Sequence, residues 1–106
     1  MLQAEADWRT TSKERRGFQR LPAAVDAALL STALGRVAAI TVDVSQAGCR
    51  LRTRARGQRG DHLVLTLGAI GPRAVTIAWA AGGELGLAFA QPLHWTVVTD
   101  LAGITR

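Results

Sequence analysis

Residues 49–56 alternate strictly between small or apolar side chains and arginines, and this alternation constrains the fold more than any other feature of the sequence. The small or apolar positions are Cys49, Leu51, Thr53 and Ala55, and the arginines are Arg50, Arg52, Arg54 and Arg56. Successive side chains of a β-strand point to opposite faces. The pattern therefore predicts a strand with one face turned inward and one face of arginine.

Other segments also have the composition of short strands. Segment 37–44 is rich in β-branched residues, and the glycine-containing breaks are typical of turns. The predicted strands are 37–44, 49–56, 62–67, 74–80 and 85–90, with breaks at 45–48, 57–60, 71–72 and 82–83. Several short strands separated by glycine turns predict a small all-β barrel or sandwich.

Two segments differ from this pattern. Segment 23–34 is rich in alanine and leucine, so it fits either a helix or a bent strand. Segment 93–102 carries Trp95, Val98 and Ala102 at helical spacing, which predicts a short C-terminal helix that ends at Gly103.

Composition and charge narrow the functional classes. The 106 residues suit one domain, and no apolar stretch is long enough to cross a membrane. The first residues lack the apolar stretch of a secretory signal, so a cytoplasmic protein is expected. Cys49 is the one cysteine, which excludes an internal disulfide and a cysteine zinc site.

The formal net charge of +5 is concentrated in two arginine-rich segments, 9–20 and 50–59. Arginine suits planar, bidentate recognition of phosphates and guanine edges, so the clusters predict an anionic partner. We interpret residues 1–20 as a flexible arginine-rich arm and residues 21–106 as the packed domain.

Two short motifs are candidates for binding. Arg16-Gly-Phe-Gln-Arg20 places two arginines four residues apart, although a solvated basic arm gives the same pattern. Asp43-Val-Ser45-Gln-Ala-Gly48 ends the predicted strand 37–44, where Asp43 and Ser45 are expected to project together. Gly48 permits a positive φ or the close approach of a flat ligand. An ordinary turn uses the same residue types, so this motif alone leaves both interpretations open.

The two motifs in this order, with a strand between them, resemble the PilZ domain family. Ile77-Ala-Trp79 followed by Gly86-Leu-Ala-Phe89 resembles the penultimate hairpin of that family, and the likeness runs from about Glu14 to about Ala102. The resemblance implies a six-stranded antiparallel β-barrel that binds cyclic di-GMP on its outer surface. The implied ligand-binding residues are Arg15, Arg16, Arg20, Asp43, Ser45 and Gly48; no cofactor is implied.

The chemistry of guanine agrees with this resemblance. A guanidinium fork matches its N7 and O6 acceptors, while its N1–H and 2-amino donors need acceptors such as Asp43 and Ser45. The arm is expected to fold over the bound ligand, and the altered surface to signal to a downstream protein.

Two rival functions stay open at this point. One is a small basic β-barrel that binds single-stranded nucleic acid non-specifically, although the scarcity of aromatic residues weighs against it. The other is a PilZ-like interaction module that binds no ligand. The sequence has no nucleophile–base motif and no Gly-rich phosphate loop, so an enzyme is not expected.

Overall fold

A computed structural model of the chain describes residues 19–103, and seven strands and one helix lie within that range. The strands are β1 Leu21–Pro22, β2 Asp26–Ser31, β3 Gly35–Val44, β4 Gly48–Thr53, β5 His62–Leu67, β6 Ile70–Ala81 and β7 Glu84–Phe89, and the helix is α1 Trp95–Leu101.

Six of the strands close into an antiparallel barrel, which confirms the predicted fold. The order around the barrel is β3, β2, β5, β6, β7 and β4, and pairing of β4 with β3 completes the ring. The two-residue β1 extends the line of β2 along the same side of β3. In a closed barrel every long strand has two hydrogen-bonded neighbours, so no long edge is left open.

The core is built almost entirely from aliphatic side chains inside the ring. Leu29, Leu51, Leu65 and Leu67 have no exposed surface, and Phe89 is the one buried aromatic residue among those described. These residues occupy alternate strand positions, as the period of a β-strand requires.

Segment 23–34 resolves into a strand and a turn. β2 pairs with β3 on one side and with β5 on the other. These two sets of cross-strand hydrogen bonds, together with complete burial of Leu29, outweigh the helix propensity of its alanines and leucines.

Two predicted boundaries are wrong. Gly71 and Pro72 lie within β6, next to a bulge in its pairing with β5, which is a position where a strand tolerates proline. The break falls earlier, at Gly68, whose φ is +53°. β4 ends at Thr53, so Arg54 and Arg56 lie in the following loop rather than on the strand.

The predicted terminal helix is present as α1. The Nδ1 atom of His94 accepts the Thr96 N–H at 3.1 Å and caps its first turn. Val98 is fully buried against the barrel core. Gly103, with a φ of +76°, follows the helix, as expected for a C-terminal glycine.

The proposed arm lies almost wholly outside the described residues, so its boundary at residue 20 stays a prediction. Arg20 is described and directly precedes β1. Within residues 19–103, no helix has the length and apolar character needed to span a bilayer.

Candidate functional site

A β-bulge in β3 turns Asp43 to the outer surface of the barrel. Thr41 pairs with Leu51 and Asp43 pairs with Arg50, so Val42 is an extra residue without a partner in β4. Without the bulge, Asp43 would share the inward face of Thr41, two positions away. With it, Asp43 lies on the outer face opposite Arg50.

The same bulge holds the chain that precedes β2. The Oγ1 atom of Thr41 accepts the N–H of Val25 at 2.8 Å and donates to the carbonyl of Ala23. The N–H of Ala23 donates to the carbonyl of Val42 at 3.1 Å. The segment after β1 is therefore fixed to the bulged part of β3.

This attachment brings Arg20 to Asp43. Within β1, Leu21 pairs with Val44 and Pro22 pairs with Asp43. Arg20 is the next residue toward the N-terminus, and its Nη1 donates to Oδ1 of Asp43 at 2.7 Å. The structure thus joins the last residue of the arginine motif to the first residue of the turn motif.

Each carboxylate oxygen of Asp43 faces a different arginine. Oδ1 accepts from Arg20, and Oδ2 lies 3.2 Å from Nε of Arg50. The Arg50 Nε atom is buried without a hydrogen bond of good geometry, so its contact with Asp43 is an ion pair rather than an aligned hydrogen bond. The side chain of Asp43 is only 16% exposed, whereas those of Arg20 and Arg50 are 51% and 41% exposed.

Ser45 lies inside the turn that follows β3. Its Oγ accepts the N–H groups of Ala47 and Gly48, each at 3.2 Å, and the whole residue is 2% exposed. Asp43 and Ser45 therefore do not project together, and that expectation is wrong. The strand ends at Val44, and Ser45 folds back to bond the turn backbone.

Gly48 is required by a close approach between two strands. A Cβ at this position would lie 2.0 Å from the carbonyl oxygen of Leu87 in β7. Neither of the two predicted reasons for glycine applies, because its φ is not positive and the space is filled by β7 rather than left open for a ligand.

The turn is also anchored to the segment before α1. The N–H of Leu93 donates to the carbonyl of Gln46 at 2.9 Å, and the Nε2 atom of Gln46 donates to the carbonyl of Leu93 at 2.8 Å. The N–H of Phe89 donates to the carbonyl of Ala47. Asp43 therefore projects from a rigid support.

Beyond Arg50, the outer row of side chains continues to an aromatic ring. Arg50 pairs with Gly86 in β7, and Gly86 pairs with Trp79 in β6. A Cβ on Gly86 would lie 2.1 Å from Nε1 of Trp79, so the indole ring covers this glycine. Trp79 is 39% exposed, so part of the residue is available on the outer surface.

The thiol of Cys49 lies beneath this site. It is fully buried, and that burial raises its pKa to about 12, with a further contribution from the charge of Asp43 and an opposing one from Arg20. Cys49 is therefore a neutral, apolar core residue, as its inward strand position predicts.

The structure thus brings Arg20 and Asp43 together and places Ser45 and Gly48 in the supporting turn. Arg15 and Arg16 lie outside the described residues. The ion pair between Arg50 and Asp43 was not predicted. The pairing of Asp43 with Arg50 depends on the bulge at Val42, and no sequence pattern predicts that bulge.

The described residues contain no cluster of three or more histidine, cysteine or acidic side chains that could hold a metal ion.

A search of characterised proteins gives no match to the chain. A family model described as the PilZ domain matches residues 14–102 of the 106. PilZ domains are binding domains rather than enzymes. The chain therefore belongs to the PilZ domain family, a family known for binding cyclic di-GMP.

Proposed function

We propose that this protein is a cyclic di-GMP receptor that binds the ligand on the outer face of the barrel around Asp43. The observation that carries the proposal is the 2.7 Å hydrogen bond between Arg20 and Asp43. It joins one residue from each of the two family motifs, and this supports a single binding site built from both. Membership of a family known for binding cyclic di-GMP supports this choice of ligand.

Asp43 is the acceptor for guanine in this proposal. An ionised carboxylate offers about four lone-pair sites, and two arginines face the two oxygens of Asp43. Acceptor capacity therefore remains for the N1–H and 2-amino donors of guanine. Ser45 and Gly48 contribute by shaping the turn that holds Asp43 in position.

The arginines supply the positive charge and the planar donors. Arg20 and Arg50 are about half exposed, so their remaining N–H groups are accessible to the phosphates or to the N7 and O6 edge of guanine. Arg15 and Arg16 precede Arg20 by a few residues and would add further positive charge as the arm folds over the ligand.

Trp79 extends the proposed site at its far side. Its ring covers Gly86, the β7 residue that pairs with Arg50, and so continues the outer row of Asp43 and Arg50. Stacking of a base on an exposed aromatic ring contributes about 1–3 kcal/mol in other nucleotide-binding proteins. A flat ligand lying across Arg50 would reach this ring.

Signalling in this proposal occurs through protein contacts, because PilZ domains are not enzymes. Ligand binding would order the arm over the Asp43 site and so change the surface that a downstream protein meets. We propose a cytoplasmic location, where a nucleotide second messenger is available.

Calorimetric titration of the full chain tests the proposal. We expect saturable micromolar binding of cyclic di-GMP, and binding of cyclic di-AMP at least about tenfold weaker because adenine lacks the N1–H and 2-amino donors. Asp43→Ala and Arg20→Ala should each weaken cyclic di-GMP binding by at least about tenfold, since each removes a charge-assisted contact.

Arg73→Ala is the matched control. Arg73 is an exposed arginine on β6, three strands away from β3 around the ring. Arg73→Ala removes the same charge as Arg20→Ala, but because of this distance it should alter the affinity for cyclic di-GMP by less than about twofold. Unaltered binding in Asp43→Ala would refute the proposed site. Tight binding of single-stranded DNA that is insensitive to Asp43→Ala would favour the rival nucleic-acid function.

A further inference from the structure

A second arginine-rich surface lies on the outer face of β3 and β4, away from Asp43. A shallow groove runs there along the outward positions of β3, and Ala38 and Ile40 form its floor. Ile40 is 42% exposed, which is a large apolar surface for an outward strand position. We call this surface the arginine groove; its lining residues include Arg36, Ala38, Ile40, Arg52, Arg54 and Gly83.

Three arginines border the apolar floor. Arg52 lies directly opposite Ile40 in the register and is 69% exposed, with Glu84 3.3 Å away. Arg36 and Arg54 are exposed, and within residues 19–103 neither guanidinium has a hydrogen bond or an ion pair. The groove therefore has an unneutralised positive charge.

Protection of a strand edge accounts for at most one of these three arginines. Charged side chains commonly prevent edge strands from pairing with other chains. Here residues 35–38 of β3 pair with β2 alone, so Arg36 flanks a short open edge at the groove. Arg52 lies on a part of β4 that pairs with both β3 and β7, and Arg54 lies in the loop after β4. An apolar floor with uncompensated arginines around it is instead suited to a partner of opposite charge.

We propose that the arginine groove docks an extended segment of a partner protein that combines acidic and apolar side chains. Residues on one face of a strand recur about every 6.6 Å. A segment with acid–apolar–apolar–acid side chains on one face would cover Ala38 and Ile40 and place a carboxylate near an arginine at each end. The apolar contact favours a peptide over nucleic acid, because no aromatic side chain lines the groove as a stacking platform.

The proposal is independent of cyclic di-GMP binding. The groove residues do not include Arg20, Asp43, Ser45 or Gly48. A chain that fails to bind cyclic di-GMP can still bind the acidic peptide, and the reverse also holds. The two experiments therefore fail separately.

The test uses the full chain and a synthetic peptide with the sequence Glu-Ser-Leu-Ser-Leu-Ser-Glu. Its affinity is measured by NMR titration of the ¹⁵N-labelled protein, which also locates the contact. We expect saturable amide shifts centred on Arg36, Ile40 and Arg54. Replacing both leucines of the peptide by serine, or both glutamates by glutamine, should weaken binding by at least about fivefold, which corresponds to about 1 kcal/mol.

Matched protein variants separate the groove from general charge and hydrophobicity. Arg54→Ala and Ile40→Ser should each weaken peptide binding by at least about threefold, as rim and floor contacts require. Arg73→Ala removes the same charge from β6, and Val64→Ser removes an exposed apolar side chain from β5. Both controls should leave the affinity within about twofold, because neither residue lines the groove.

Four results would overturn the proposal. The first is equal weakening by the groove variants and their controls, and the second is tighter binding of heptathymidylate than of the peptide. The third is dimerisation of the chain, lost in Ile40→Ser, which would assign the groove to a second copy. The fourth is a gain of more than about tenfold in affinity on deletion of residues 1–8, which contain Glu5 and Asp7; the groove would then bind its own N-terminus.

Discussion

The two ends of the β4–β7 strand pair contain the same residue types but use them differently. At one end, Gly48 pairs with Ala88, Ser45 and Gly48 are buried, and the turn between them is hydrogen-bonded to β7 and Leu93. At the other end, the β6–β7 hairpin turns at Gly82 and Gly83, where no atom lies within 4 Å of an ideal Cβ. One end is packed and the other is open.

The arginines differ in the same way. At the packed end, Arg20 and Arg50 face Asp43 and are held in place by it. At the open end, Arg54 has no partner among the described residues. Glu84 lies between the two groups, 3.9 Å from Arg50 and 3.3 Å from Arg52. Arginines held by a carboxylate suit a small ligand that needs fixed geometry, whereas unpaired arginines suit an adaptable protein contact.

The largest expected effect separates the two kinds of glycine. Gly48→Ala should lower the free energy of unfolding by about 3 kcal/mol, because its Cβ would meet a backbone carbonyl that cannot move without disturbing β7. Gly83→Ala should cost only about 1 kcal/mol, since the space is open and only the φ of +79° is unfavourable. Urea denaturation measures both; equal losses would contradict the contrast between packed and open turns.

A smaller effect is expected for the hydroxyl inside the packed turn. Ser45→Ala leaves the N–H groups of Ala47 and Gly48 without their acceptor and should destabilise the protein by about 1.5 kcal/mol. Its effect on cyclic di-GMP affinity should be smaller than that of Asp43→Ala. If Ser45→Ala abolished binding while leaving stability unchanged, the hydroxyl would be a direct ligand contact rather than a support for the turn.

The smallest effect concerns pH and the packed end. Burial raises the folded-state pKa of Cys49 to about 12 from an ordinary thiol value of 9.0, so its contribution to stability is fully present below about pH 9 and declines as the pH rises toward 12. From about pH 8 to about pH 10, the wild-type chain should lose about 1 kcal/mol more stability than Cys49→Ala. An equal loss of unfolding free energy in the two proteins over this pH range would show that the thiol is not protected from ionisation.

Much of the barrel can be predicted from the sequence because its signals are local. The alternation around Leu51 and the glycines at 82 and 83 identify strands and a turn without any knowledge of the fold. The exception is β2, whose alanines and leucines suit a helix. Only its pairing with β3 and β5 makes it a strand, and that information is non-local.

The candidate site was predictable in its residues but not in its geometry. The motifs identified Arg20 and Asp43, yet the outward direction of Asp43 and its ion pair with Arg50 depend on the bulge at Val42. The true reason for Gly48 likewise depends on the position of Leu87, which is 39 residues along the chain. Such contacts between distant segments are fixed by barrel closure and not by any short pattern.

An NMR titration of the ¹⁵N-labelled chain with cyclic di-GMP tests most directly whether the packed end is the ligand site. We expect the largest amide shifts at Arg20, Asp43 and Arg50, with little change at Arg54 and Gly83. The largest shifts at Arg54 and Gly83, with an unchanged Asp43, would contradict the assignment of the two ends.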